Sequence, residues 1–469
     1  MSLITAINSE TTPLNSVKDF SSANGSFQII FEITGSANQL IDLSSIRLLC
    51  EASFLNSAKQ HFNNTNIYSQ AITNPAGGAD YPITAPIVYD SANNPFYDID
   101  CRTGVTSCIS NIQFMDSESN ILESVYNYPH LISKISGMSM SKDDQVTWAS
   151  SLFGVKSGGK QLQNQTALNS NYSLALKLYS GLLQSDPIPF SVLKGKLRIV
   201  ITLNNPSSVL FGGNNTGLVA PAVGTTLNPA QGSYFNLNDV RLTYRTLVLP
   251  ENAPIMKEYT YKHFSSLNST IVSSNSQNVY TPNTTNTISI LTSFIRSQAL
   301  NSYSANSIQS NKLQKQSGAG FESVDIHNLN FLKNNIRFPN QFSIDERVYN
   351  KNNNGLSNYD TQRSYYYMST LTSMSKLNKT LIQSSTESNG TLQCGSFDET
   401  SSPDSIPVYG VGVKYANVSG EDGSSFVNGA SFLQRIESGL VGDTVNEQFT
   451  NVLATRTIIP SVSGAVILQ

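Results

Sequence analysis

Apolar residues fall at every second position in two long runs near the middle of the chain. The first is Leu197-Arg198-Ile199-Val200-Ile201-Thr202-Leu203, entered through the turn signal Ser185-Asp186-Pro187-Ile188-Pro189-Phe190 and Lys194-Gly195-Lys196. The second runs from Phe235 to Leu247, beyond a polar, Gly/Asn/Pro-rich loop from Asn204 to Gly232. A period of two makes a half-buried antiparallel strand, with one face in the core and the other in water. Proline-punctuated sequence follows at once, from Pro250 through Pro254 to Tyr259, with a short helical turn. One β-domain therefore closes near Val248, and a second begins near Tyr261.

The same reading extends to both halves. Strands are predicted over Phe27–Ile33, Ser45–Phe54, Phe96–Asp100, Cys108–Phe114, Ile121–Val125 and Tyr172–Leu183 in the first. A helix over Tyr128–Asp144 sets Leu131, Ile132, Ile135 and Met138 on one face. In the second half the strands are Thr270–Val272, Ile288–Phe294, Val324–Phe331, Asn335–Pro339, Phe342–Asp345, Val408–Tyr415, Ser431–Ile436 and Val452–Ile459. A second helix is predicted over Tyr359–Leu377. Short strands joined by loops far longer than hairpin turns argue for Greek-key sandwiches. No fixed period of residues recurs, which argues against propellers and solenoids.

The ends read differently. Residues 1–24 are Ser/Thr/Asn-rich with scattered apolar anchors (Leu3, Ile4, Leu14). Burying so little, they are expected to form an arm that orders only against a neighbour. The tail, residues 461–469, is apolar, and Pro460 and Gly464 argue against a long regular strand there. It is expected to lie in a groove of its own or an adjacent subunit. The expected domains are an N-terminal arm (1–24), a first sandwich (25–250), a connector (251–260), a second sandwich (261–460) and a C-terminal tail (461–469).

Composition narrows the function. Charged residues are only 13% of the chain and the net charge is −3, so Ser, Thr, Asn and Gln must wet the surface. The basic footprint that nucleic-acid binding through phosphates requires is missing. The start lacks a basic stretch followed by an apolar core, so synthesis without a secretion signal is expected. No apolar run reaches the ~20 residues of a transmembrane helix. Four cysteines (Cys50, Cys101, Cys108, Cys394) do not make a disulfide scaffold. Cys101 and Cys108 are candidates for a pair, although free buried thiols are the expectation in a chain without a secretion signal.

Candidate chemistry is sparse. Gly154-Val155-Lys156-Ser157-Gly158-Gly159-Lys160 fits the phosphate-loop spacing, but Gln161 stands where a magnesium-binding Ser/Thr belongs. Nor does an amphipathic helix follow to aim its N-terminus at a phosphate. A solvated loop is the better reading. His61, His130, His263 and His327 are scattered, with no metal or triad spacing. Asp98 and Asp100 share a strand face and could bracket a cation, but solvent-facing alternation is the better reading. Tyr365, Tyr366 and Tyr367, near Arg363, suit core packing or a subunit contact better than base stacking. No catalytic, cofactor-binding or metal residue is expected, and no cofactor or enzymatic activity.

The chain resembles the double jelly-roll major capsid proteins, in particular those of virophages and polinton-like viruses. The likeness is carried by the Pro187-Ile188-Pro189-Phe190 turn, the Leu197–Leu203 strand and the closing strand around Asn238-Asp239-Val240-Arg241-Leu242-Thr243-Tyr244. The connector Pro254-Ile255-Met256-Lys257-Glu258-Tyr259 and the segment Ile336–Asp345 are similar to family segments. The resemblance implies an all-β protein of two tandem eight-stranded jelly-roll β-sandwiches, with one or two short helices each. It also implies a homotrimeric, pseudo-hexagonal capsomer in the icosahedral shell of a double-stranded DNA virus. The partners would be neighbouring capsomers, penton and minor capsid proteins, with no sequence-specific nucleic-acid contact. The rival reading from another class is a carbohydrate-binding or adhesive β-sandwich, fibre-like or lectin-like, since Asn/Ser/Thr/Tyr-rich loops suit sugars too.

Overall fold

A computed structural model describes residues 4–15, 19–22, 28–55, 67–68, 87–88, 96–99, 104–132, 171–206, 209–213, 226–227, 234–250, 253–254, 256, 258–271, 275–280, 286–296, 303–304, 326–333, 336–337, 410–414, 432–438, 446–461 and 464–468. The first roll has eight principal strands. They are β1 (Thr5–Thr11), β2 (Gln28–Thr34), β3 (Gln39–Leu55), β4 (Ile109–Met115), β5 (Ile121–Val125), β6 (Tyr172–Lys177), β7 (Lys196–Leu203) and β8 (Tyr234–Val248). They form two antiparallel sheets, ordered β1-β8-β3-β6 and β2-β7-β4-β5. Every connection except β4 to β5 crosses from one sheet to the other, which is jelly-roll topology.

The second roll repeats this plan. Its strands are β9 (Tyr259–Ile271), β10 (Asn275–Tyr280), β11 (Asn286–Arg296), β12 (Ile326–Lys333), β13 (Ile336–Arg337), β14 (Gly410–Lys414), β15 (Phe432–Ser438) and β16 (Asn446–Ser461). The sheets are β9-β16-β11-β14 and β10-β15-β12-β13, the first roll's order with eight added to each number. A last strand, β17 (Gly464–Leu468), turns back along the end of β16. The expected class, two tandem eight-stranded jelly rolls, is the observed one.

Alternation places the first core. Ile29, Phe31 and Ile33 on β2 and Leu197, Ile199, Ile201 and Leu203 on β7 are fully buried. They face Ile46, Leu48, Ala52 and Phe54 of β3 across the sandwich, within one cluster. On β8 the phase of the apolar positions flips, from Phe235 and Leu237 to Val240 and Leu242. The register slips between Asn238 and Arg241, and Asp239 there has φ 46°, so a β-bulge re-phases the strand. Cys50 and Cys108 are buried free thiols in this core, as expected, and burial pushes the Cys50 thiol up to about 12. Cys101 and Cys394 lie outside the described residues. Helical geometry over residues 128–132 opens the first predicted helix. The second, over Tyr359–Leu377, lies outside the described residues, as does the strand predicted at Phe342–Asp345.

The N-terminal end departs from expectation. Far from waiting for a neighbour, Thr5–Thr11 pairs with β8 from Thr5↔Val248 to Thr11↔Leu242 and completes the first sheet. Leu14 N–H bonds the Ile30 carbonyl at 2.8 Å, the Asn15 side chain brackets Ile30 and Gln28, and Phe20 is only 1% exposed. Backbone pairing, rather than apolar burial, offsets the ordering entropy of this mostly exposed strand. The tail also pairs with its own chain, Thr457↔Leu468 to Ser461↔Gly464. Pro460 is tolerated because β9 ends at Tyr259, opposite Ile458, so that side of β16 is an open edge beyond it. Because β1 is a structural strand, deleting residues 1–12 should expose the β8 edge, lower the melting temperature and promote aggregation. Circular-dichroism melting of the truncated chain checks this; an unchanged melting temperature would mean that the strand is dispensable.

Candidate functional site

The two rolls touch at a seam between the edge of the first roll and β9 and β16 of the second. Its origin is a bulge at the edge of the first roll. Among the described residues β5 pairs only with β4, and the register jumps from Phe114↔Glu123 to Met115↔Ile121, leaving Leu122 without a ladder partner. Two consecutive side chains, Leu122 and Glu123, therefore both point inward, and both are buried. The freed Leu122 carbonyl accepts from the Tyr261 hydroxyl at 2.8 Å and from Arg456 Nη1 at 3.3 Å, both on the second roll.

Glu123 is the centre of the seam. Oε1 accepts from the backbone N–H of Gly181 at 2.9 Å and of Phe264 at 2.6 Å, and Oε2 accepts from Leu182 N–H at 2.8 Å. Gly181 and Leu182 open a short 3-10 turn of the first roll, Leu182–Gln184, whereas Phe264 belongs to β9 of the second. One carboxylate thus holds three segments. Burial pushes its pKa above the ordinary carboxylate range; the N–H groups and the Ser180 hydroxyl pull the other way without cancelling it.

Close backbone approach completes the contact. A Cβ on Gly181 would lie 2.5 Å from Cα of His263 and 2.7 Å from its backbone nitrogen, so only glycine fits. Gly181 has ordinary right-handed helical angles, so its need is for space alone. Nearby, Ser185 Oγ accepts from Lys262 N–H at 2.8 Å, and the Tyr259 hydroxyl donates to the Asp186 carbonyl. His130 stacks on Phe449 of β16 with ring centres 4.0 Å apart. Tyr259, Tyr261 and Ile458 are buried within the first roll's hydrophobic cluster, so the core runs across the seam.

His263 sits at this contact, 1% exposed. Neither ring nitrogen reaches a partner with good hydrogen-bond geometry, although the Ala454 backbone weakly favours a proton there. Burial, and then the charge of Arg456, depress its pKa to about 3, so it is held neutral. Burial likewise raises Tyr128, Tyr179, Tyr259 and Tyr261. With its lone pairs committed to backbone N–H groups, the carboxylate is suited to fastening rather than to proton transfer.

Of the residues singled out in the sequence, the structure brings only His130 and His263 to the seam. Gly154–Lys160, Arg363, Tyr365–Tyr367, His61 and Asp100 lie outside the described residues. His327 is on β12, and Asp98 is in a strand, Phe96–Ile99, that pairs with Leu210–Gly213. Among the described residues no three of His, Cys, Asp and Glu cluster to hold a metal, and no helix is long and apolar enough to cross a membrane. Glu123 was missed in the sequence. Its signal was an acid directly after Leu122 in a short strand bounded by Ile121 and Val125.

No protein-family model and no curated protein sequence matches this chain. Solved structures do match. The chain superposes on the capsid protein in a quasi-atomic model of the PBCV-1 virus capsid with a TM-score of 0.55 at 7% identity, covering 100% of this chain and 97% of that one. It matches the Faustovirus major capsid protein with a TM-score of 0.51 at 8% identity, covering 98% and 91%. At such identities the likeness is one of fold: this chain has the double jelly roll of those proteins.

Two substitutions test the seam. Glu123→Ala leaves three buried N–H groups without acceptors and should cost on the order of 3–5 kcal/mol. Glu123→Gln, which turns an amide donor toward donors, should cost less but still measurably. Gly181→Ala should cost about 1–3 kcal/mol, because the obstructing atoms are backbone. Chemical denaturation of each variant reads these losses; wild-type midpoints would contradict the assignment.

Proposed function

We propose that this chain is a structural major capsid protein whose homotrimers form pseudo-hexagonal capsomers in the icosahedral shell of a double-stranded DNA virus. The observation that carries the reading is the identical strand order of two rolls joined through a buried seam. Two equivalent blocks per chain become six around a threefold axis, and closed symmetry limits the assembly to a defined ring. The end-to-end coverage of the PBCV-1 capsid protein supports it. A charged content of only 13% suits subunit packing, since few charges must be desolvated.

On this reading the chain works in the virion, against neighbouring capsomers, penton and minor capsid proteins, and carries out no catalysis. The domain boundaries first drawn from the sequence enter the proposal in revised form, with β1 inside the first roll and β17 inside the second. Light scattering of the purified chain at micromolar concentration should give three times the monomer mass. Electron microscopy of the same sample should show compact hexagonal blocks. A monomer, or an elongated species that binds glycans, would favour the adhesive alternative.

A further inference from the structure

Buried groups in proteins are normally paired, and an imidazole at a domain contact has strong reason to be. His263 departs from this. Its backbone abuts Gly181, its ring lies 6.4 Å from that of Tyr261 between centres, and Arg456 sits on β16 opposite Tyr261, while Glu123 of β5 binds the backbone of the next residue, Phe264. The 3-10 turn meets it with backbone alone at Gly181. Arg456 is the one cation among these groups, and it is fixed on the Leu122 carbonyl. A proton added to the ring would meet that cation in a buried site, and among the described residues around it no carboxylate is free to pair with it. Both oxygens of Glu123 are already bonded to N–H groups.

We propose that the seam is an acid-released latch, in which protonation of His263 beside Arg456 favours separation of β9 from the first roll. The closed seam excludes the proton and an open seam admits it. Linkage gives the sign. A base whose pKa is depressed in the closed state binds fewer protons there, so closure is fully favoured above the ordinary imidazole range. That advantage is lost progressively as pH falls from about 6.5 toward about 3. For the histidine alone, the factor of ten per pH unit implies about 30-fold more frequent opening at pH ~5 than at pH ~7.5. Glu123 works in the opposite sense, because a carboxyl whose pKa is raised on closure favours the closed state as pH falls. The latch is therefore a histidine response set against a carboxylate brake.

Hydrogen exchange of the full chain, corrected for intrinsic rates, reads this directly in peptides covering 119–126, 259–271 and 446–458. The ratio of wild-type opening to that of His263→Phe should rise about 30-fold from pH ~7.5 to pH ~5. The variant alone should open less, or no more, as pH falls, because only the Glu123 response remains. His263→Asn supplies the same comparison if the larger ring perturbs folding. A ratio that stays constant across this range in both variants would overturn the proposal. The result does not depend on what the chain assembles into.

Discussion

Two sandwiches joined by a connector of about ten residues would ordinarily move relative to each other, because inter-domain contacts within a chain tend to be small and polar. The Glu123 carboxylate removes that freedom. Burying it costs several kcal/mol, which the protein offsets in part by directing three backbone N–H groups at it from two segments. Charge-assisted bonds of this kind are about twice as strong as neutral ones. They are also specific in direction, so the carboxylate fixes an angle between rolls as well as a distance. The same β5 bulge frees the Leu122 carbonyl for Tyr261 and Arg456, and beside it Gly181 permits the close backbone approach of His263.

The rolls share a topology without sharing a sequence, and the reason is what a jelly roll requires. Eight strands in the order 1-8-3-6 and 2-7-4-5 need alternation of burial and crossover loops of sufficient length. They need no particular residue at any position. The first roll meets the requirement with a hydrocarbon interior, in Phe31, Phe114, Phe190 and Phe235. The second meets it partly with hydroxyl and amide groups. Thr292 and Thr450 hydrogen-bond across β11 and β16 at 3.1 Å, and Gln448 joins them at 3.3 Å.

That difference explains what could be read in advance. Strands with inward Val, Ile, Leu and Phe announced themselves; Ile121–Val125 and the β7 run were legible almost to the residue. β9 was not, because its inward positions are Tyr259, Tyr261 and His263, which an apolar count passes over. β1 was hidden by its polarity, since Thr5–Thr11 is held by ladder bonds to β8 and buries little. β17 was obscured by Pro460, harmless only because β16 is an edge at that point. Glu123 could not be placed, because its partners are backbone atoms 58 and more residues away, which no pattern of side chains reports.

The same contrast makes the second roll dependent on the first. From Thr287 to Thr292 every residue of β11 is buried, as is every residue from Gln448 to Val452 on β16. Several of these buried positions are polar, as Thr287, Ser289, Thr292, Gln448, Thr450 and Asn451 show. Meanwhile Tyr259, Tyr261 and Ile458 place their apolar surface in the first roll's cluster. Part of the hydrophobic stabilisation of the second roll's leading sheet is therefore realised only when the first roll is present. The two halves are thus coupled across the seam but differ in self-sufficiency. A change in the seam is then felt first in β9 and β16, and only later in the apolar core of the first roll.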